Sequence, residues 1–207
     1  MSIELRPCQA SDVEQAIPLM FSAGPEAFRY VFSVNYKDQA LDFLRYAFCQ
    51  GDGEFGYKDH QLALDKGKVV ALVGRRLGKD NSAYMLAAIK QIFGFYGFIT
   101  GLRVIIRGLR FEQIVTPPKA GVACLHNLGV SEGQRGKGYG RQVIEKFIEQ
   151  AKSKGVSLVS LDVAETNPRA KALYERLGFE VKSKKAGRLK NRYGRGVGHE
   201  YMEISLS

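Results

Sequence analysis

The sequence has little cysteine and no cysteine spacing that would form a zinc site. Cys8, Cys49 and Cys124 are the three cysteines in 207 residues, and they lie far apart. An odd number of widely spaced cysteines is typical of a reduced compartment rather than of a disulfide-stabilised secreted domain. The N-terminus is polar from Glu4 onward and lacks the apolar core of a signal peptide. We therefore expect a cytoplasmic protein with no bound metal.

Repeats and low-complexity segments are also lacking, and acidic residues are in deficit. The 21 Asp and Glu residues face 31 Lys and Arg residues, which gives a net charge of +10. Such a charge suits a polyanionic ligand or partner, although it also favours solubility alone. With 45% hydrophobic residues, a chain of 207 residues is long enough to bury a sizeable core. We therefore expect a single domain over residues 1–207.

The most informative stretch of the chain is residues 125–151. An apolar, strand-like segment leads into a glycine-rich turn, and the turn opens directly into an amphipathic helix. The first N–H groups of a helix have no intrahelical partner, and the helix dipole adds positive charge at the same end. Gly136, Gly138 and Gly140 let a ligand approach the backbone closely. The stretch therefore predicts an anion site, most naturally for phosphates.

Two common phosphate-binding motifs do not fit this turn. A P-loop would need GxxxxGK followed by Ser or Thr, and a Rossmann motif would need a third glycine where Arg141 stands. The pattern present is Arg135-x-x-Gly138-x-Gly140, preceded by Leu128-x-Val130. This pattern resembles the cofactor motif of the GNAT superfamily of N-acetyltransferases, in which the loop amides hold the pyrophosphate of acetyl-CoA.

A second stretch resembles the same superfamily. Residues 167–179 are similar to the GNAT signature Asn-x-x-Ala-x-x-Leu-Tyr-x-x-x-Gly-Phe. Asn167 suits the N-cap of a helix, Pro168 its first position and Gly178 the position just past its end. Because the two motifs occur in the family's order, the chain is identified as a member of the GNAT superfamily.

The resemblance implies a fold and a reaction. The fold class is α/β (α+β), with a mixed central sheet of about six to seven strands and helices on both faces. The sheet of these proteins is splayed between the two parallel strands that flank the cofactor. The reaction is direct transfer of an acetyl group from acetyl-CoA to a primary amine. A small amine, an antibiotic, a peptide N-terminus and a protein lysine all stay open as the acceptor.

The resemblance also implies roles for individual residues. The first splayed strand would bind pantetheine through its backbone, the glycine-rich loop would hold the pyrophosphate, and Asn167 would contact the pantetheine arm. Tyr174 would donate a proton to the CoA thiolate, since a phenol pKa near ~10 is close to a thiol pKa near ~8.5. The predicted cofactor-binding residues are Leu128, Gly129, Val130, Arg135, Gly136, Lys137, Gly138, Tyr139, Gly140 and Asn167.

The general base is not fixed by the sequence. Many GNAT enzymes use a glutamate on the first splayed strand, but no carboxylate lies between Ala120 and Ser131. His126 lies there and has a suitable intrinsic pKa, so Tyr174 and His126 are the predicted catalytic residues. Asp162 is an alternative base, and an amine that binds already neutral would need none.

The remaining elements follow the family's order. A strand at residues 3–7 and a helix that starts at a Ser11–Glu14 capping box open the chain. One or two aromatic-rich helices with a break near Asn35 come next, followed by a hairpin over residues 60–76. We interpret His60 as structural or solvated rather than as a ligand.

Two segments are ambiguous. Residues 77–120 are an apolar insertion in the compact family pattern, interrupted by Lys90, Gln91 and Arg103. We favour helices packed on the core or at a dimer interface, then a lid over the acceptor site, and rank an interfacial membrane patch last. Residues 182–195 predict a basic loop before the last strand, which either attracts an acidic substrate or is simply solvated.

The expected partners are acetyl-CoA and an amine-bearing acceptor, with a homodimer as one interpretation of the insertion. Neither nucleic acid nor a membrane is an expected partner. Two alternatives stay open. A basic nucleic-acid-binding α/β domain would explain the charge but not the order of the two motifs. A GNAT-fold module that binds CoA as a sensor would explain the missing strand carboxylate, although Tyr174 argues against it.

Overall fold

The computed structural model describes residues 3–77 and 81–206, which form seven strands and six α-helices. Residues 78–80 of the insertion lie outside the described part. The strands are β1 (Glu4–Pro7), β2 (His60–Asp65), β3 (Lys68–Leu77), β4 (Val122–Val130), β5 (Leu158–Ala164), β6 (Glu180–Lys190) and β7 (Arg195–Ser205). The helices are α1 (Val13–Ser22), α2 (Pro25–Phe32), α3 (Ala40–Gln50), α4 (Asn81–Glu112), α5 (Tyr139–Ser153) and α6 (Pro168–Arg176).

The strands form one mixed sheet in the order β1-β2-β3-β4-β5-β7-β6. Neighbouring strands pair antiparallel except β4 and β5, which run parallel. The pairing of β4 with β5 begins at Val122–Leu158 and stops at Cys124–Ser160, although both strands continue. The two strands therefore diverge, and the sheet has the splay that the resemblance predicted.

Helices cover both faces of the sheet, as predicted. On one face, α5 buries Val143, Ile144 and Phe147 against β4 and β5, at the helical spacing seen in the sequence. On the other face, α1 and α3 cover β2 and β3, and α2, α3 and α4 share a third apolar cluster. The break between α2 and α3 falls where it was predicted, and Asn35 adopts a left-handed conformation with φ 52°.

The start of α1 corrects one prediction. A 3₁₀ turn at Ala10–Asp12 precedes the helix. Gln9 is the N-cap of this turn and Asp12 the N-cap of α1, so Ser11 caps neither. The Asp12 carboxylate accepts the Gln9 N–H at 2.8 Å and binds both terminal nitrogens of Arg6 at 2.7 and 2.8 Å. These bonds, led by that from Arg6, lower the pKa of Asp12. The ion pair thus fixes Asp12, not Glu14, as the acidic member of the capping box.

The insertion consists mainly of α4, which is interrupted at Gly97 (φ 70°, ψ 176°). Its inner side packs against α2 and α3, and Gln91 donates to the carbonyl oxygen of Asp52 at 2.8 Å. The predicted packing on the core is therefore confirmed for this side. The outer side is exposed and carries the large apolar residues Met85, Leu86, Phe98, Ile99, Leu102, Ile106 and Leu109.

The prediction of a basic loop at residues 182–195 is wrong. Most of this segment belongs to β6, which forms a long hairpin with β7 at the edge of the sheet. Its inward positions include Lys185, Gly187 and Leu189, a polar and glycine-containing set that conceals the alternation of a strand. Lysines on an exposed edge strand also hinder pairing with another chain, which accounts for part of the charge.

Candidate active site

The glycine-rich loop joins the end of β4 to α5 and presents unbonded donors. Gly136 and Gly138 have φ values of 79° and 85°, a left-handed conformation that favours glycine. Gly138 is the N-cap of α5. In the described structure, the N–H groups of residues 136–141 donate to no backbone acceptor. With the dipole of a 15-residue helix behind them, these donors are suited to bind an anion.

Two basic side chains flank the loop. Arg135 Nε donates to the carbonyl oxygen of Val130 at 3.2 Å, and Lys137 Nζ donates to Gln134 Oε1 at 3.0 Å. Both side chains are exposed, and neither pairs with a carboxylate of the described residues. Tyr139 differs, because its ring is buried and its hydroxyl donates to Asp65 at 2.5 Å. Only the backbone of Tyr139 can therefore contribute to the anion site.

The end of β4 exposes main-chain groups to the gap. The Ser131 N–H donates to the carbonyl oxygen of Val70 on β3 at 2.9 Å. Because main-chain direction alternates along a strand, the N–H groups of Val130 and Leu128 point away from β3, toward the gap. Asn127, with φ 49°, forms a bulge where the register with β3 shifts.

Gly129 is required for packing. A Cβ at this position would collide with the carbonyl oxygen of Leu19, because α1 crosses β4 there. The predicted role of Gly129 in cofactor binding is therefore restricted to its backbone. Nothing in the local sequence indicates this contact, since it joins residues far apart in the chain.

The second motif forms α6 with the predicted ends. Asn167 Oδ1 accepts the Ala170 N–H at 3.2 Å as the N-cap, and Gly178 has φ 92° just past the helix. A Cβ at Gly140 would lie 3.6 Å from Leu173, so the start of α5 adjoins α6. The two motifs are therefore neighbours in space.

Tyr174 of α6 is buried beside Phe179, with ring centroids 6.0 Å apart. Burial raises the pKa of Tyr174 to about 12. Its hydroxyl makes no hydrogen bond to any of the described residues. The Tyr174 hydroxyl is therefore protonated at neutral pH and can act as a proton donor.

The register places His126 and Asp162 on the two sides of the gap. Cys124 and Ser160 are directly paired and therefore point to the same face of the sheet. His126 and Asp162 each follow by two residues, so their side chains stand on that same face, one on each diverging strand. This face of the sheet is the one that α5 does not cover. On it, the Thr116 N–H donates to both carboxylate oxygens of Asp162 at 3.3 Å.

Burial shifts the two pKa values in opposite directions. It raises the pKa of Asp162 to about 7, opposed by the Thr116 amide and the charge of Lys185. It lowers the pKa of His126 well below 6.5, and the charges of His60 and Arg76 lower it further. At neutral pH Asp162 is therefore about half ionised, while His126 is neutral and weakly basic. Asp162 is the better matched of the two as a proton acceptor.

His60 is structural, as predicted. It is fully buried, its Nδ1 lies 2.8 Å from the Gly56 carbonyl oxygen, and its Nε2 lies 3.3 Å from the Asn127 amide nitrogen. These partners place the ring proton on Nδ1. The ring packs edge-on against that of His126 at 5.3 Å. Burial lowers the pKa of His60 to about 4.

We expect the contribution of His60 to the stability of the fold to be lost as the pH falls below 6.5. The unfolded chain protonates His60 near pH 6.5 and the folded chain only near 4, so the stability present above 6.5 is lost on acidification. His60 should contribute a loss of about 2 kcal/mol between pH 7 and pH 5. Urea unfolding of wild type and His60→Gln at both pH values measures it. An equal pH dependence in the two proteins would contradict the assignment.

Sequence reasoning missed Glu54. It lies in the loop before β2, and its carboxylate is 3.6 Å from Arg76, which also influences the pKa of His126. The Glu54 side chain is 42% exposed, and its partial burial raises its pKa against the opposing charge of Arg76. Tertiary structure thus brings a third carboxyl group to the face that carries His126 and Asp162. A search for a carboxylate on β4 alone could not find it.

Comparisons with known proteins agree with this geometry. Residues 26–179 match the sequence model of the acetyltransferase (GNAT) family. An L-methionine sulfoximine/L-methionine sulfone acetyltransferase of Pseudomonas paraeruginosa is 31% identical over 81 residues, which are 39% of this chain and 46% of that protein. A ribosomal protein bS18-alanine N-acetyltransferase of Salmonella typhimurium is 36% identical over 78 residues, 38% of this chain and 50% of that protein. The chain spans about half the length of these curated relatives.

Solved structures show the same fold. An N-acetyltransferase from Staphylococcus aureus Mu50 is similar with a TM-score of 0.71 and 14% identity, covering 97% of this chain and 100% of its own. The ribosomal-protein-S18-alanine N-acetyltransferase from Escherichia coli has a TM-score of 0.56 and 16% identity, covering 99% and 94%. At these identities the likeness concerns the fold alone.

Proposed function

We propose that this chain, which belongs to the acetyltransferase (GNAT) family, transfers an acetyl group directly from acetyl-CoA to a primary amine. The observation that carries the proposal is the gap between β4 and β5, which leads to a helix N-terminus with unbonded donors. Two relatives are named for L-methionine sulfoximine and for an alanine of a ribosomal protein, both of which present an α-amine. This supports an amine as the acceptor class.

The residues of the loop fit the pyrophosphate of acetyl-CoA. Their N–H groups and the charges of Arg135 and Lys137 suit an anion, and a Cβ at Gly136 or Gly138 would meet no other atom within 4 Å. The N–H groups of Leu128 and Val130 would bind the pantetheine arm, with Asn167 on the other side of the gap. Acetyl-CoA supplies the activated acetyl group when bound. We propose that the enzyme acts in the cytoplasm.

On the acceptor side, the protein must take a proton from the amine. Asp162 stands on the β5 side of the gap, and we propose it as the group that receives the proton. The ring of His126 lies on the same face but over Gly74 of β3 and against His60, with both nitrogens buried, so His126 is the second candidate. The raised pKa of Asp162 favours the carboxylate as the base, whereas the lowered pKa of His126 makes the imidazole a weaker base.

On the donor side, two groups stabilise developing negative charge. A backbone N–H of Leu128 or Val130 would polarise the thioester carbonyl, because these donors face the gap. Tyr174 would donate to the leaving thiolate from α6, since its hydroxyl is protonated and has no hydrogen-bonding partner among the residues described.

Isothermal titration of acetyl-CoA into the purified protein tests the cofactor site. We expect binding in the micromolar range, and a loss of at least about 100-fold in Gly138→Glu, because the new carboxylate lies among the anion-binding N–H groups. Gly155→Glu is the matched control. Gly155 also has a left-handed conformation (φ 72°) and open space around it, but it follows the opposite end of α5.

Gly155→Glu should bind acetyl-CoA like the wild type. A folded wild-type protein that binds no acetyl-CoA would refute the proposed function. Binding without thiol release across a panel of amines would instead identify a CoA-binding sensor.

A further inference from the structure

The outer side of α4 is an apolar surface that the rest of the described chain leaves uncovered. Phe98 and Ile99 are each 74% exposed, and Leu102, Ile106 and Leu109 continue the same strip along the second half of the helix. Only 17% of the most apolar 18-residue stretch of α4 is buried. Exposed contiguous apolar surface of this kind marks an interaction site in a folded protein.

By length and composition alone α4 could cross a membrane, but its break and its packing on the domain argue against a span. Gly97 divides α4 into residues 81–96 and 98–112, each about 23 Å long, which is shorter than the hydrocarbon core of about 30 Å. The first half is also fixed to the domain, because the Tyr96 hydroxyl donates to the Phe32 carbonyl oxygen at 2.5 Å. The apolar strip therefore contacts its partner from outside.

The charge on α4 indicates the chemistry of that partner. Residues 81–111 contain no Asp or Glu, whereas Lys90, Arg103, Arg107 and Arg110 are all basic. In a twofold dimer built on this face, the same basic residues would oppose each other without acidic residues to offset them. The face instead suits an anionic partner.

A pocket of about 330 Å³ lies beside the strip and concentrates the positive charge. Arg103, Arg107 and Arg192 line it together with Tyr36 and Tyr193. None of the three arginines pairs with a carboxylate within residues 3–77 and 81–206. Tyr36 is 83% exposed and stacks against the Arg192 guanidinium at 4.3 Å.

Neutral oxygens hold two of these arginines in place. Arg103 donates to Asn35 Oδ1 at 3.1 Å, and Arg107 donates to the Ser33 carbonyl oxygen at 2.5 Å. These hydrogen bonds fix the position of each guanidinium, but no carboxylate among the described residues neutralises its charge. A fixed guanidinium with an unpaired charge can bind an oxyanion. Because Arg103 belongs to both the pocket and the rim of the strip, the two features form one surface.

We propose that this surface docks the protein on an anionic lipid membrane, with the apolar strip in the interface and a lipid phosphate in the arginine pocket. An apolar strip flanked by arginines and an exposed tyrosine is the composition of an interfacial, non-spanning membrane contact. The basic residues that interrupt the apolar segment in the sequence thus lie at the edge of the apolar strip in the structure. The inference is independent of the proposed acetyl transfer.

Flotation with lipid vesicles tests the proposal. The full chain should float with vesicles of equimolar phosphatidylcholine and phosphatidylglycerol but not with vesicles of phosphatidylcholine alone. Ile99→Asp and the double variant Arg103→Glu/Arg192→Glu should each reduce the bound fraction at least about 10-fold. All these side chains are exposed, and melting curves check that the variants fold.

Charge-matched variants on the far surface serve as controls. Ser153→Asp adds the same charge as Ile99→Asp, and Lys152→Glu/Lys154→Glu changes the net charge as much as the arginine variant. Both controls should bind vesicles at or near the wild-type level. If the controls lose as much vesicle binding as the surface variants, the effect comes from net charge alone and the proposal is overturned.

Three other results would also overturn it. A wild-type protein that neither vesicle retains, and that binds inorganic phosphate at the pocket, would have a small-anion site there. Sedimentation equilibrium showing a dimer that Ile99→Asp dissociates would make the strip a subunit interface. Vesicle binding that neither surface variant reduces would place the membrane contact elsewhere.

Discussion

Asp162→Asn is expected to lower kcat/KM for acetyl transfer at pH 7 by about 100-fold or more, the contribution of a well-placed general base. Asparagine preserves the shape of the side chain but cannot accept the proton of the amine. The Thr116 N–H can still donate to the amide oxygen, so the local backbone should hold its position. Thiol release from acetyl-CoA with an amine acceptor measures the change.

The pH profile distinguishes a base from a merely structural carboxylate. As the proposed base, Asp162 would act in its ionised form, and burial raises its pKa to about 7. In the wild type, kcat/KM should therefore rise with pH through about 7 and then level off. Asp162→Asn should lose this inflection.

His126→Gln is the informative comparison. With a pKa well below 6.5, His126 is a weak base, so its loss should cost less than the loss of Asp162. If His126→Gln is the more damaged variant and Asp162→Asn keeps its activity, the histidine is the base and the assignment here is reversed.

Stability separates lost chemistry from lost structure in Asp162→Asn. The unfolded carboxyl group titrates near 3.8 and the folded one near 7, so the folded state holds its proton longer. Asp162 therefore lowers the stability of the wild type increasingly as the pH rises from about 4 to 7, because the buried group must then ionise, and this contribution is opposite in sign to that of His60. Asparagine has no such cost, and the variant should gain about 2.6 kcal/mol relative to wild type between pH 5 and pH 8.

The two motifs could be read from the sequence because their signals are local. The N-cap Asn167, the glycine at 178 and the helical spacing of α5 each act within a few residues, and the structure reproduces all three. The anion site follows from the same local chemistry, since a glycine-rich turn before a helix exposes N–H groups wherever it occurs.

The remaining features depend on contacts between distant residues. Gly129 is fixed by a helix that crosses it, and Glu54 reaches the site only because β2 and β3 bring its loop there. The strand character of β6 comes from pairing with β7, which overrides its lysine and glycine content. The exposure of α4 was equally hidden, because helical periodicity cannot tell a core from an uncovered face.

Tyr174→Phe is expected to lower kcat by roughly 10- to 100-fold, which corresponds to a lost hydrogen bond to a developing charge of about 1.5–3 kcal/mol. The pKa of about 12 makes the phenol a weaker acid than a typical tyrosine. Complete proton transfer to the thiolate is therefore less favourable than a hydrogen bond that strengthens as the charge develops. The KM for acetyl-CoA should change little, because this bond belongs to the transition state.

The half-buried Tyr96 provides the control that decides between chemistry and packing. The Tyr96 hydroxyl donates to a carbonyl oxygen between α2 and α4, so Tyr96→Phe should lower the melting temperature and leave kcat unchanged. Tyr174→Phe should show the opposite pattern, because its hydroxyl has no partner to lose among the described residues while its ring packing on Phe179 is retained. A Tyr174→Phe enzyme with wild-type kcat would leave the tyrosine as a core residue and assign the leaving thiolate's proton to solvent.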